Sequence, residues 1–230
     1  MKIAISSLVH SICPDLVLGI IEGKVKNSPT SALLWQEVEK EMEEILSKYS
    51  LKQISKRPAI LATRQAYKKF GKDPSRYRPS AEALCRRICK GNSIYQINTL
   101  VDIINLVSIH SGFSIGGFDA DKIQGNLLLD VGNENDEFEA IGRGILNVAG
   151  LPLFRDEVGG IGTPTSDNER TKITMETNHL LMIINAYGGK TLLMIINAYG
   201  GKTGLEKTID YAVDLLKKYA EMTAYNIFLS

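Results

Sequence analysis

The stretch INTLVDIINLVSIHSGFSIGGFD, residues 97–119, contains the change in pattern that decides the fold. Its first half has apolar residues at helical spacing and predicts a helix over residues 99–110 that ends near Gly112. The positions expected to be buried are Leu100, Ile103, Ile104 and Val107. Its second half begins a glycine-rich region in which short apolar runs replace the helical period. The sequence therefore predicts helices before this stretch and short strands after it.

Three helices are predicted before the stretch. The first follows Pro29, is capped by Thr30 or Ser31, and carries an apolar stripe. The stripe comprises Leu33, Leu34, Val38, Met42, Ile45 and Leu46, with Trp35 beside it. Two shorter helices, over residues 63–70 and 81–90, are each followed by glycine. Two β-leaning runs on either side of Pro14 predict two strands within residues 1–26.

Short strands are predicted between residues 113 and 190, in the runs NLLLDV, ILNVAG, LPLFRD and TKITM. A last helix over residues 205–219 has Ile209, Val213, Leu216 and either Tyr219 or Ala220 on one face. We therefore predict an α+β fold in one domain spanning residues 1–230. Its parts are strands and helices in 1–112, a strand-rich region in 113–203, and a C-terminal helix in 204–221.

The segment LLMIINAYGGKT occurs twice without a difference, at residues 180–191 and 192–203. Because old repeats diverge, an identical copy indicates a recent in-frame duplication or an error in the gene or its sequence. Twelve is an even number, so the in-out alternation of a strand would survive the insertion. We expect one copy to continue a sheet towards the last helix, and the other to form a hairpin, a loop or a disordered segment. GGKT is not a phosphate-binding loop, since Ile184 and Ile196 stand where that motif needs glycine.

The composition excludes several classes of protein. With 44% apolar and 23% charged residues, the chain is typical of globular proteins. Cys85 and Cys89 would share a helix face, but no second pair completes a metal site, so we expect neither a metal nor a cofactor. No run approaches the roughly 20 apolar residues of a membrane span. No signal peptide is evident either, so we expect a cytoplasmic protein without membrane contact.

The positive charge is concentrated in one region. The net charge is +1, yet residues 48–90 contain thirteen Lys and Arg against two acids, Asp73 and Glu82. Tyr67, Phe70 and Tyr77 lie among these cations. The pattern suits a face that lies on a phosphate backbone, and it suits a solvated helical surface equally well.

Three segments together resemble a known family. They are residues 77–87 (YRPSAEALCRR), residues 97–105 (INTLVDIIN) running on to residues 115–119 (IGGFD), and residues 166–174 (SDNERTKIT). Their order and spacing resemble the RxPSxEAL…RR, NxLVDIxN, (I)GG(F/Y)D and (S/D)xERTKxT signatures of free-standing B3/B4 domain proteins. The resemblance covers about residues 60–184. It implies a layered α+β domain with a β-sandwich-like core and helices on one side.

The same resemblance links the chain to the editing domain of the phenylalanyl-tRNA synthetase β subunit. It implies hydrolysis, in trans, of the ester of a mischarged tRNA by a water held in a pocket, with tRNA or aminoacyl-tRNA as partner and no DNA. Orientation and hydrogen bonds to the oxyanion would suffice for this reaction. A non-catalytic module that binds tRNA or an amino acid is the alternative, and a small-metabolite hydrolase or binder is a third. The candidate tRNA contacts are Lys68, Lys69, Arg76, Arg78, Arg86 and Arg87.

The candidate substrate-binding residues come from the same segments: Asn98, Asp102, Asn105, Gly116, Gly117, Asp119, Asp167, Arg170 and Thr171. The aspartates can hold an ammonium group or a water, the glycines expose backbone N–H groups, and Arg170 suits an anion. Structural roles compete with each of these. Asp102 and Asn105 can tie the backbone, the glycines can form a turn, and Asp167 can pair with Arg170. Arg86 and Arg87 can be ordinary surface charges.

The segment also departs from the synthetase. That enzyme has a His of its editing pocket where Gly116 stands here, and a Thr where Ile104 stands, while Asn105 is kept. A different acyl group is therefore as reasonable as tyrosine. None of the histidines, His10, His110 and His179, is a convincing general base, although His110 is close in sequence to Gly116.

Overall fold

The computed structural model of the chain describes residues 1–188 and 204–230. The α-helices in this part are α1 (Ser7–Ile12), α2 (Ala32–Lys48), α3 (Pro58–Lys69), α4 (Ser80–Ile88), α5 (Thr99–Ser111) and α6 (Gly204–Ala220). The strands are β1 (Ile3–Ile5), β2 (Val17–Lys24), β3 (Ser114–Asp119), β4 (Leu127–Val131), β5 (Glu139–Ala140), β6 (Gly144–Ile145), β7 (Pro152–Arg155), β8 (Gly160–Gly162), β9 (His179–Ala186) and β10 (Thr223–Leu229). Short 3-10 helices lie at Ile54–Lys56, Ala120–Lys122 and Glu169–Thr171. None of the described helices has the length and hydropathy of a membrane span.

The strands form two four-stranded sheets and a short ribbon. The first sheet has the order β10-β2-β9-β3 and is antiparallel throughout. The second has the order β1-β4-β7-β8, in which β1 and β4 are parallel. Strands β5 and β6 pair with each other beside these sheets.

Strand β9 lies inside the first sheet and contributes to two cores. Leu181 and Ile183 pack in the cluster that joins the two sheets, with Phe118 of β3 and Phe154 of β7. Their neighbours Leu180, Met182 and Ile184 face the opposite way and pack among residues of α2, α4, α5 and α6. Because side chains of a strand alternate between faces, one strand serves both layers. The predicted α+β fold, with a sandwich-like core and helices on one side, is confirmed. Helix α1 contributes instead to the cluster between the sheets, and α3 contributes to both clusters.

The helix boundaries follow the local sequence. Ser31 caps α2 by accepting a hydrogen bond from the Leu34 N–H at 3.2 Å. Asn98 caps α5, which ends at Gly112 in a left-handed conformation with φ of +83°. The four predicted core positions of α5 are buried, and so are Leu106 and Ile109, because this helix has α2, α4, α6 and β3 around it.

Some predictions about helices were wrong. Leu33 and Leu46 of α2 are 66% and 51% exposed, since this helix buries only the narrow face that carries Leu34, Val38 and Ile45. The first β-leaning run forms strand β1 only, and its continuation forms α1, which Ser6 caps.

Other predictions about strands were also wrong. ILNVAG contributes only Ile145 to a strand, and TKITM forms none, because Thr171 ends a 3-10 helix. The turn that was one alternative for Gly116 and Gly117 is not formed, since both lie in strand β3. The C-terminal strand β10 was not predicted.

The first copy of the repeat forms most of β9. Residues 180–186 are all buried, and they pair with β2 on one side and β3 on the other. The second copy, residues 192–203, lies outside the described residues, and so does the predicted hairpin, loop or disordered segment.

Candidate functional site

A cavity of about 360 Å³ opens between α4, α5, β3 and the segment before β9. Aliphatic side chains form most of its walls, and Ile97 and Ile141, both lining it, are exposed. The lining residues are Ser80, Leu84, Ile97, Val101, Ile104, Asn105, Ser108, Ile115, Gly117, Ile141, Asp167, Lys172 and Ile173. An apolar pocket with a few polar groups is the usual form of a small-ligand site.

Helix α5 contributes one face to the cavity, because Val101, Ile104, Asn105 and Ser108 recur at helical spacing. The Ser108 hydroxyl donates to the Phe113 carbonyl at 2.8 Å. Asn105 is half-buried, and its amide has no hydrogen-bond partner within residues 1–188 and 204–230. This amide can therefore both donate to a ligand and accept from one.

Asp167 supplies the carboxyl group of the cavity. Its Oδ2 accepts a hydrogen bond from the Gly117 N–H at 3.2 Å, and its Oδ1 lies against the backbone of Gly116 and Gly162. No Lys, Arg or His of the described residues forms an ion pair with it. Burial raises the pKa of Asp167 to about 7, and the Gly117 N–H only partly opposes this effect. Asp167 therefore changes its charge near neutral pH.

The two glycines of β3 face opposite layers. A Cβ on Gly117 would lie 2.3 Å from Cδ1 of Ile104, inside the cavity wall. A Cβ on Gly116 would instead lie 2.7 Å from the Phe118 ring, on the side of the second sheet. Gly117 lines the cavity and Gly116 does not. A side chain at position 116 would therefore meet the Phe118 ring first, and its Cβ would lie 3.5 Å from Oδ1 of Asp167.

Asn98 and Asp102 hold the start of α5. The Asn98 side chain accepts from the Val101 N–H at 3.1 Å. The buried Asp102 carboxylate accepts from the Ile97 N–H, at 3.1 and 3.2 Å, and from the Thr30 hydroxyl. Burial raises the pKa of Asp102, although these hydrogen bonds oppose the rise. Both residues tie backbone together, and neither lines the cavity.

Three other candidates also lie outside the cavity lining. Asp119 caps the following 3-10 helix and accepts from the Thr177 hydroxyl at 2.9 Å. Arg170 does not pair with Asp167, because its guanidinium makes two hydrogen bonds to Asp156, at 3.0 and 2.7 Å. Thr171 is fully buried, and its hydroxyl has no hydrogen-bond partner in the described structure.

Sequence reasoning missed several lining residues. Ser80, Lys172 and Ile173 belong to the motifs but carried no chemical signal of their own. The ammonium of Lys172 pairs with the Glu169 carboxylate. Ile141 comes from the short β5–β6 ribbon, which no periodicity predicts.

The model of one family, the B3/4 domain, matches residues 62–221, well over half of the chain. The chain belongs to the B3/4 domain family. It is similar to the phenylalanine–tRNA ligase β subunit of Bartonella henselae, with 42% identity over 84 residues. That match takes in 33% of this chain and 10% of the ligase subunit. A solved N-terminal fragment of the phenylalanyl-tRNA synthetase β subunit from Pyrococcus horikoshii matches with a TM-score of 0.43 and 13% identity, over 94% of this chain and 48% of that fragment. The B3/4 chain thus spans less than half the length of these relatives.

The histidines of this B3/4 chain lie away from the cavity. His110 contacts the Glu41 carboxylate at 2.8 Å and the Tyr211 ring, and His179 lies between Glu22 and Asp121. His10 is exposed on α1. None of the three is among the lining residues.

The cysteines of the B3/4 domain form no metal site among the described residues, where no cluster of three or more His, Cys, Asp or Glu could hold an ion. Cys85 is buried beside the Arg57 guanidinium at 3.1 Å, and burial raises the pKa of its thiol to about 11. The thiol of Cys89 contacts the Tyr49 carbonyl.

The cationic candidates fall into three groups. Lys68, Lys69 and Arg76 are exposed near the end of α3 and in the loop that follows. Arg78 and Arg86, together with Arg64, instead surround the nearly buried Glu82, at N···O distances of 3.7, 4.0 and 2.8 Å. Arg87 lies over the Tyr95 ring.

Proposed function

We propose that this B3/4 chain hydrolyses the ester of a mischarged aminoacyl-tRNA in trans. The proposal is supported by the setting of Asp167. Its carboxyl group lies at the wall of an apolar cavity, has no cationic partner in the described structure, and has a pKa raised to about 7. A general base is most effective when its pKa lies near the working pH.

The chemistry requires only groups that line the cavity. The Asp167 carboxylate accepts a proton from a water as the water oxygen attacks the ester carbonyl. The Asn105 amide donates a hydrogen bond to the developing oxyanion. When the C–O bond to the ribose breaks, the ribose oxygen takes up the proton from Asp167. The products are the free amino acid and tRNA with an intact 3′ end.

The walls of the cavity favour an uncharged acyl side chain. Leu84, Val101, Ile104, Ile115 and Ile173 surround it with branched aliphatic groups. Among the lining residues, a cationic side chain would find only Asp167 as an opposite charge. An anionic one would find only Lys172, whose ammonium already pairs with Glu169, so either would lose hydration with little compensation. Exposed Lys68, Lys69 and Arg76 are suited to contact the phosphate backbone of the tRNA in the cytoplasm.

The test is deacylation of a panel of mischarged tRNAs by wild type, Asp167→Asn and Asn105→Ala. We expect turnover on a member with an apolar acyl group, and a loss of at least about 100-fold for Asp167→Asn, the lower range of general-base effects. Asp121→Asn is the matched control, because it removes an exposed carboxylate of the 3-10 helix Ala120–Lys122 that does not line the cavity. Wild-type turnover that survives in Asp167→Asn would reject the role of that residue.

The second candidate is a non-catalytic tRNA-binding module. It is favoured by the absence of a histidine from the cavity lining of the described residues. Salt-dependent tRNA binding without turnover on any member of the panel would select this alternative.

A further inference from the structure

Arg87 and Tyr95 form a stacked pair on the surface. The Arg87 guanidinium lies 4.2 Å from the centre of the Tyr95 ring, and its Nε donates to the Ser93 carbonyl at 2.6 Å. This hydrogen bond fixes the guanidinium plane, so the pair is held by the loop as well as by the cation–π contact.

Tyr95 is unusually open to solvent. It is 66% exposed, and every other Phe, Tyr or Trp among the described residues is at least partly buried. Since Arg87 covers one side of the ring, the other side remains available. An aromatic ring in this state can accept a flat π-system by stacking.

Each residue of the pair is close in sequence to a residue that lines the cavity. Leu84 lines the cavity, and Arg87 follows it by three residues on the same face of α4. Ile97 also lines the cavity, and Tyr95 precedes it by only two residues in the same exposed segment. Two separate segments of the chain therefore connect the pair to residues that line the cavity.

We infer that Arg87 and Tyr95 bind the terminal nucleobase of the substrate, with the base stacked on the free side of the Tyr95 ring. This inference rests on the proposed function, because it places the nucleoside of the ester beside the cavity that receives the acyl group. Arg87 and the exposed Lys90 add positive charge to this surface, which favours a nucleotide over an apolar peptide. The remaining N–H groups of Arg87 are suited to contact the phosphate of the same nucleotide.

The test is an NMR titration that measures the binding of the unacylated RNA trinucleotide CCA to the protein. We expect Tyr95→Ala and Tyr95→Leu to weaken binding by about 10-fold or more, and Tyr95→Phe to bind nearly as wild type, because stacking needs the ring. Arg87→Ala should also weaken binding, beyond the effect of Lys52→Ala, which removes an exposed cation of the same basic stretch. Because Tyr95 is exposed, the melting temperature of its variants should not change.

Three results would each overturn the inference. Wild type does not bind CCA, or Tyr95→Ala binds it as tightly as wild type does, or Tyr95→Leu and Tyr95→Phe bind it with equal affinity. The experiment is independent of catalysis. Asp167→Asn should keep the affinity for CCA even if it abolishes turnover. Turnover with an unaffected Tyr95→Ala would leave the proposed function standing and remove the base site. If Tyr95→Ala loses CCA binding but the wild type deacylates no member of the panel, the base site stands and the proposed function falls.

Discussion

The Asp167 carboxylate accepts a hydrogen bond from the Gly117 amide at 3.2 Å and so joins the loop after β8 to the middle of β3. A single neutral donor compensates little for the lost hydration of a carboxylate. The proton of Asp167 is therefore retained to about pH 7. This contact thus holds an ionisable group at the cavity, while burial raises the pH at which that group ionises.

This arrangement predicts a pH-dependent stability. An unfolded aspartate titrates near 3.8, and folded Asp167 near 7, so between these values the folded chain holds a proton that the unfolded chain has released. The free energy of unfolding contributed by this group therefore falls as the pH rises from about 4 to about 7. In urea unfolding at pH 5 and pH 8, Asp167→Asn should gain stability relative to wild type at the higher pH. A difference that is the same at both values would show that Asp167 does not titrate between them.

The ion pair of Asp156 and Arg170 is predicted to stabilise the fold. Burial alone would raise the pKa of Asp156, but Arg170 and the backbone N–H groups around the carboxylate lower it overall. Asp156→Ala should cost about 3 kcal/mol, because it leaves Arg170 without its partner and the N–H groups of Gln124 and Val158 without an acceptor.

Urea unfolding near pH 7 measures this loss, and Asp156→Asn should retain part of the stability. Because the pKa of Asp156 is lowered, the wild-type contribution is present above the unfolded value near 3.8 and is lost as the pH falls through the folded value. A loss below about 1 kcal/mol for Asp156→Ala would contradict the prediction.

The two glycines of β3 predict opposite outcomes for two similar substitutions. Gly116→Ala should destabilise the fold by about 1–3 kcal/mol, since its methyl group meets the fully buried Phe118 ring, which Gly162 confines on another side. Gly117→Ala should cost less stability, because the end of the Ile104 side chain can rotate, but it should narrow the cavity. Unfolding measurements and deacylation of the panel substrate, made on both variants, separate the two effects. The reverse order of the two stability losses would contradict the geometry.

The cluster around Glu82 predicts a large effect from one acidic residue. Glu82 is 2% exposed and faces three arginines, so Glu82→Ala should destabilise the chain by about 3 kcal/mol. Glu82→Gln should lose less, because its amide oxygen still accepts from Arg64. Glu44→Ala is the control, since its pair with Lys48 is exposed, and little change is expected. Sulfate can take the place of the missing carboxylate, so it should raise the melting temperature of Glu82→Ala more than that of wild type. An equal rise for both proteins would contradict the prediction that the three arginines need an anion at this position.

The main helices and the α+β class of the fold could be predicted from the sequence. The periods of α2 and α5 and the cap at Ser31 are local signals, because each depends on residues within one or two turns. The exposed sides of Leu33 and Leu46 could not be predicted, because exposure depends on which other elements pack against α2. Strand β10 is stabilised by pairing with β2, about two hundred residues away in sequence, and its own run shows no clear alternation.

The site was predictable only in part, for a similar reason. Asn105, Gly117 and Asp167 were candidates, and the structure brings all three to the cavity. Which of two adjacent glycines faces the cavity depends on the register of β3 with β9. The partner of Arg170 depends on the path of the loop after β7, which places Asp156 closer than Asp167.

Helix α5 divides its residues between two tasks, and this division has an evolutionary consequence. Asn98 and Asp102 fasten the helix to the rest of the chain, whereas Val101, Ile104 and Asn105 border the cavity. A substitution in the second group changes the shape of the cavity and leaves the hydrogen bonds of Asn98 and Asp102 intact. Preference for a ligand can therefore drift between descendants of one ancestor that still fold alike. Two members of this family that share the motifs need not share a substrate.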